Sequence, residues 1–254
     1  MSEKLYTYNG KLISPSAGNV VGSLGAPALA PRSMRFDFKY DHFNPITDLT
    51  DLSAYGFIWT HLTDDVYDFH YDNADWGVRK ISGSTGGLFN VYKVGNSYPM
   101  ALHQFDVLDM DLTGVTTVAS LFNTARQVQN IFSIRNTSSV TDFSGFLYHT
   151  RNIVIPSIPL FDTSSATNME RMFSGCIYLT SIPLFNTGNV TNVSYMCYNT
   201  RKVESGSLAL YQQMASQATP PSSHAYCFSN CGSATVTGAA ELGQIPTDWG
   251  GTMS

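Results

Sequence analysis

Two clusters of residues have the types and spacing to do chemistry. His224-x-x-Cys227-x-x-x-Cys231 brings an imidazole and two thiols within eight positions, and these are zinc-ligand types. The run supplies only three ligands and lacks the paired Cys-x-x-Cys spacing of structural zinc sites. Four cysteines in all (Cys176, Cys197, Cys227, Cys231) are too few for a disulfide scaffold. Buried thiols acting as small hydrophobes are the plainer expectation. The second cluster is the acidic run Asp64-Asp-Val-Tyr-Asp-Phe-His-Tyr-Asp-Asn-Ala-Asp75. Carboxylates held about 5–10 Å apart across a cleft could cleave glycosidic bonds, and the same groups could hold a metal ion. Their alternation with aromatics points instead to a strand or turn whose aromatic face is buried and whose acidic face is wet. No constellation reads as catalytic, and no metal or cofactor is expected.

The elements that position these residues are repeated. Ser157-Ile-Pro-Leu-Phe-Asp-Thr163 returns as Ser181-Ile-Pro-Leu-Phe-Asn-Thr187, 24 residues on. Asp111, Asn136, Asp162 and Asn186 open four aligned segments spaced 25, 26 and 24 residues apart. Apolar columns follow: Val115, Val140, Ala166, Val190; then Val118, Phe143, Met169, Val193; then Leu121, Phe146, Met172, Met196; then Phe122, Leu147, Phe173, Cys197; and finally Val128, Ile153, Leu179, Val203. Such a unit cannot bury its apolar face alone, whereas stacked units bury each other. The spacing of 169, 172 and 173 is that of one helix face. The invariant Thr column (Thr116, Thr141, Thr167, Thr191) suits helix N-caps, and Thr167-Asn-Met-Glu170 has capping-box spacing. The Ser-Ile-Pro-Leu-Phe segments are extended, because the residue before proline avoids the helical region. One short strand and one short helix per unit are therefore expected. The Asp/Asn column is expected to satisfy loop amides at each corner.

Leu160-Phe-Asp-Thr-x-x-x-Thr-Asn-Met-x-x-Met-Phe-Ser-Gly-Cys-x-x-Leu-Thr-Ser-Ile-Pro183 resembles the BspA-like leucine-rich-repeat surface proteins. Asp68–Trp76, Ser222–Gly232, Gly238–Leu242 and Ile245–Trp249 resemble the flanks of that group as it occurs in gut Bacteroidetes and their phages. The resemblance is specific at 160–200 and departs at 108–150, where Phe143 and Phe146 stand in place of Met. It implies an α/β, leucine-rich-repeat-like right-handed solenoid of about four strand-helix coils, with a β-containing N-terminal region and a helix-plus-loop C-terminal cap. It implies recognition or adhesion and no enzyme.

Four regions follow from this reading: an N-terminal strand and arm at 1–54, an N-terminal cap at 55–107, the repeats at 108–206 and a C-terminal cap at 207–254. Residues 207–217 read as a helix ending before Pro220-Pro221. Trp59, Tyr67, Phe69, Tyr71 and Trp76 are expected as buried aromatics. Met34–Tyr40 alternates with period two and is expected to be a strand. Residues 14–33 are rich in Gly, Pro, Ala and Ser and are either a flexible linker or an arm. As an arm, its Val20, Val21, Leu24 and Leu29 would dock on another subunit.

Composition narrows the function classes. With 43% hydrophobic residues the chain can build a substantial core, which argues against disorder. Net charge is −5 and no Lys/Arg run exists, so nucleic-acid binding is not expected. No stretch approaches the roughly 20 apolar residues of a membrane span. Residues 1–10 show no apolar secretory segment, so release by lysis would reconcile an extracellular role with the sequence. The expected role is a non-enzymatic phage virion protein (a fibre, decoration or tail-associated subunit), extracellular or on the particle and part of a homo-oligomer or larger assembly. It would contact other virion proteins through the arm and a host surface protein or glycan through the repeats. The alternatives are a bacterial adhesin of the BspA-like type and a polysaccharide-acting enzyme. Arg126, Arg151 and Arg201 share a column broken by Ile177, Tyr148 and Tyr198 share another, and Tyr178 and Lys202 follow the Arg column. Arg and aromatic residues are favoured binding anchors, so this face is expected to meet a partner. Alternatively, the arginines solvate the turns and the tyrosines cover the core edge.

Overall fold

The computed structural model describes residues 6–8, 11–13, 28–37, 58–63, 66–70, 76, 105–123, 125, 128–150 and 158–253. Seven strands are present among them: β1 (Tyr6–Tyr8), β2 (Lys11–Ile13), β3 (Ser33–Asp37), β4 (Ile58–Thr63), β5 (Val66–His70), β6 (Phe105–Asp111) and β7 (Val128–Ile131). β1 and β2 form a two-stranded antiparallel sheet. The other five make one mixed sheet of order β4-β5-β3-β6-β7, in which only the β6–β7 pairing is parallel.

β3 lies at the centre of this sheet, and its five residues are all buried. Alternation along it sorts its side chains. Met34 and Phe36 enter the main core, where Phe36 lies 5.0 Å from Phe69 and 4.9 Å from Phe105 between ring centroids. Arg35 pairs in register with Asp68 and Asp109 and makes a two-pronged contact to the Asp68 carboxylate at 2.6 and 2.7 Å. Period two was therefore legible in Met34–Asp37, while the covering of both faces was not.

The strand-helix solenoid expected from the repeats is not what the chain forms. Among the described residues, its regular structure is the five-stranded open sheet, the β1–β2 pair, two α-helices, α1 (Ser207–Ala215) and α2 (Val236–Leu242), and a 3-10 turn at Thr247–Trp249, and no helix occurs among the described residues of 108–206. The reason lies in the backbone. Ser120, Gly145, Arg171 and Tyr195 occupy one column of the repeat, and all four have left-handed φ values of 54–60°. Four residues later, His149, Gly175 and Asn199 do the same, at 57–77°. A left-handed residue every fourth position stops a right-handed helix before it completes a turn. The chain instead makes consecutive tight turns, such as Leu121 N–H to Val118 C=O (3.1 Å) and Met172 N–H to Met169 C=O (3.2 Å).

The intervening amides donate to the next unit. Val118 bonds Asp142 C=O, Phe143 bonds Asn168 C=O, Met169 bonds Asn192 C=O and Val193 bonds Ser223 C=O, at 2.7–3.0 Å. Single parallel bridges mark the same succession: Thr117–Asp142–Asn168–Asn192–Ser223. The Thr column does not cap helices. The hydroxyls of Thr141, Thr167 and Thr191 each donate to the carbonyl of the Thr one unit before, at 3.2 Å. The Asp/Asn column does serve its corners, since Asp111, Asp162 and Asn186 accept from the amides of Thr113, Ser164 and Gly188 at 2.8–3.0 Å. The described members of the five apolar columns are buried in one core shared with the sheet.

Residues 222–231 add a further layer rather than a plain cap. Tyr226 and Asn230 are left-handed like Tyr195 and Asn199, and Tyr195 N–H bonds Ala225 C=O. His224 falls in the core column of Val118 and Met169 and closes it by stacking on Trp249 at 4.2 Å and 11°. α1 buries Leu210 and Met214, and its first turn is capped from α2: Glu241 accepts from Ser207 Oγ (2.6 Å) and Leu208 N–H (3.1 Å).

Candidate functional site

The two clusters with chemical residue types are spent on structure where they are described. Cys227 and Cys231 are fully buried, and His224 Nδ1 lies 3.0 Å from the Pro221 carbonyl. Burial pushes the Cys176 and Cys231 thiols up to about 12, and it raises Cys197 and Cys227 well above the ordinary range. Groups held as neutral thiols are poor nucleophiles and poor ligands. Among the described residues, no group of three or more His, Cys, Asp or Glu is disposed to hold a metal ion. In the acidic run, Asp68 is engaged by Arg35, and Tyr67 and Phe69 are buried. Asp64, Asp65, Asp72 and Asp75 lie outside the described residues.

Of the residues expected at a partner face, Arg126 and Arg151 lie outside the described residues. Arg201 and Lys202 are exposed, and the Lys202 ammonium sits 4.3 Å from the centre of the exposed Tyr178 ring. Tyr148 and Tyr198 are half-buried. Val20, Val21 and Leu24 fall outside the described residues, while Leu29 is buried in this chain and its carbonyl accepts from Arg135 at 3.4 Å.

A different row gathers on the left-handed column. The Arg171 guanidinium lies 4.8 Å from the Tyr195 ring centre. Tyr195 stacks on Tyr226 at 5.1 Å and 23°, and Tyr198 meets Tyr195 edge-on at 5.6 Å. Tyr226 is 54% exposed. The layers thus pile a cation and two rings along the stack, with a third ring at the side. Beside this row is an open-sided cleft of about 390 Å³, lined by Ser120, Asn123, Ser144, Gly145, Tyr148, Glu170 and Arg171. The Glu170 carboxylate is fixed on both oxygens: one pairs with Arg171, and the other accepts from Asn192 Nδ2 at 3.2 Å.

A family model described as a Mycoplasma protein of unknown function, DUF285, matches residues 87–210, a little under half of the chain. That match is compatible with the BspA-like likeness of the repeats. No curated protein and no solved structure matches the chain. The matched span contains the cleft and Arg171, Tyr195 and Tyr198, while Tyr226 lies beyond it.

Arg171 and Tyr195 are not legible in the sequence as a row because a short helix is expected after the Thr of each unit, and Tyr226 is not because residues 222–250 are expected as part of a closing cap and not as a further layer. The available clue was Gly145 in the same column, since glycine tolerates the left-handed region at no steric cost.

Proposed function

We propose that the chain is a non-enzymatic recognition module of the BspA-like surface type, binding its partner through the row Arg171–Tyr195–Tyr226 with Tyr198 beside it. One observation carries this reading. Ser120 and Gly145 serve the left-handed column elsewhere, yet three of its positions hold Arg or Tyr, which adopt that region at a cost on the order of 1 kcal/mol each. Large side chains held there against backbone preference are accounted for by what they present, and Tyr and Arg are the residues that dominate binding interfaces. The setting we propose is a phage particle, with the module as a fibre, decoration or tail-associated subunit. The apolar segment at 14–33 suits attachment to a larger assembly. A second reading, a bacterial cell-surface adhesin, is favoured by the match to a family described from a cellular organism.

Fluorescently labelled protein applied to a panel of gut bacterial cells tests the module. The triple variant Arg171→Ser, Tyr195→Ser, Tyr226→Ser reproduces what Ser120 already does in the column. It is expected to keep its thermal midpoint and to lose binding; undiminished binding overturns the proposal. Immunogold labelling separates the settings, with particles marked in the first case and producing cells in the second.

A further inference from the structure

We propose that the cleft beside the row is a subsite for one uncharged sugar unit of a glycan, a proposal that rests on the recognition reading above. Its volume, about 390 Å³, is in the range of small-ligand pockets. Its lining sets the ligand class. Ser120, Ser144 and Tyr148 bring hydroxyls, Asn123 an amide, and Glu170 and Arg171 a carboxylate and a guanidinium, and among the described residues no aliphatic side chain lines it. A peptide anchor seeks an apolar, fully desolvated pocket. A polyol seeks this mixture of donors and acceptors with an aromatic at the edge.

Three further features agree. Glu170 and Arg171 neutralise each other inside the cleft, so it attracts neither an anion nor a cation selectively. The Glu170 carboxylate is held by Arg171 and Asn192 before any ligand arrives, and a preorganised acceptor binds sugar hydroxyls with little ordering cost. In the floor, Asn123 Oδ1 is buried and has no hydrogen-bond partner among the described residues. Buried acceptors left unpaired cost free energy, so this amide is suited to a donor supplied from the cleft, directly or through a water. Gly145 keeps the floor open: with φ of 60°, a side chain there would crowd Ser120 Oγ at 3.0 Å. The floor is also rigid, because Ser120 N–H bonds Ser144 C=O at 2.8 Å and Gly145 N–H bonds Glu170 C=O at 2.7 Å.

Saturation-transfer NMR and calorimetry on the full chain test this with galactose, glucose, mannose, N-acetylglucosamine, lactose and N,N′-diacetylchitobiose. N-acetylneuraminic acid serves as the anionic control. At least one neutral sugar is expected to bind at millimolar concentration while the anionic control does not. Arg171→Gly relieves the left-handed backbone, so it is expected to hold or raise the thermal midpoint while weakening the sugar at least about tenfold. Tyr148→Ala should weaken it similarly. Absence of binding by every neutral sugar, preference for the anionic one, or unaltered affinity in Arg171→Gly each overturns the subsite. These outcomes are separate from the cell assay. Cell binding that persists with no sugar bound removes the subsite alone, whereas sugar binding with undiminished cell binding by the triple Ser variant removes the recognition row alone.

Discussion

Gly206→Ala is predicted to cost about 3 kcal/mol or more, and the figure follows from two contributions. Gly206 precedes α1 with φ of 98° and ψ of −15°, a region that costs an L-residue about 1–2 kcal/mol. A Cβ placed there would stand 2.2 Å from the Ile182 carbonyl oxygen, a distance that real Cβ atoms do not reach. That carbonyl cannot retreat freely, because Ile182 N–H donates to Ser205 C=O at 3.1 Å and Ser181 bridges Ser205. Making room breaks at least one such hydrogen bond, worth about 1 kcal/mol net, and shifts the apolar contacts of Ile182 as well. Gly243→Ala is the matched control. Its φ is −63°, and the nearest atoms to an added Cβ are 3.5 Å away, so alanine there is expected to raise stability by about 0.4–1 kcal/mol through the unfolded state. Urea titrations at constant slope report both changes as shifts of the midpoint. A Gly206→Ala midpoint at or above that of the wild type, or equal shifts in the two variants, would refute the close approach of the two layers.

Two other expectations concern buried groups. Because burial holds Cys176 and Cys231 neutral up to about 12 in the folded chain, against 9.0 ordinarily, their stabilising effect is complete below pH 9. It is lost as pH climbs from there toward 12, so the urea midpoint should fall in that window, and all four thiols should resist a disulfide reagent until the chain unfolds. Arg35→Ala leaves the Asp68 carboxylate, 18% exposed, without its partner and is expected to cost about 3–5 kcal/mol by urea denaturation, well above a surface substitution.

Much of the core was legible from residue columns, because stacking requires an apolar residue at each inward position whatever the backbone does between them. Met169, Met172 and Phe173 are all buried as their spacing implies. The same spacing misled on conformation: consecutive three-bond turns also return residues 169, 172 and 173 to one side. What separates the two cases is the sign of φ at Arg171, and Arg carries no conformational marker. The Thr column was misassigned for a related reason. A hydroxyl that would cap a helix serves equally to bond the carbonyl of a neighbouring layer, and only the position of that layer decides between them. The pairing of β3 between β5 and β6 joins residues as distant as Ser33 and Asp111 and leaves no local trace. The polar cleft was hidden because its lining comes from three successive units at positions where residue type varies from one unit to the next.

Since amides at equivalent positions donate hydrogen bonds across each layer boundary in the same sense, forward at Val118, Phe143, Met169 and Val193 and backward at Thr141, Thr167, Thr191 and Ser223, each layer offers its neighbour the same edge it receives. A recombination event that excised or duplicated one whole period would rejoin matching edges, whereas an insertion of one or two residues would leave donors facing donors. The two near-identical heptads at 157–163 and 181–187 are the natural crossover points, so chains of this kind can vary in length by whole periods.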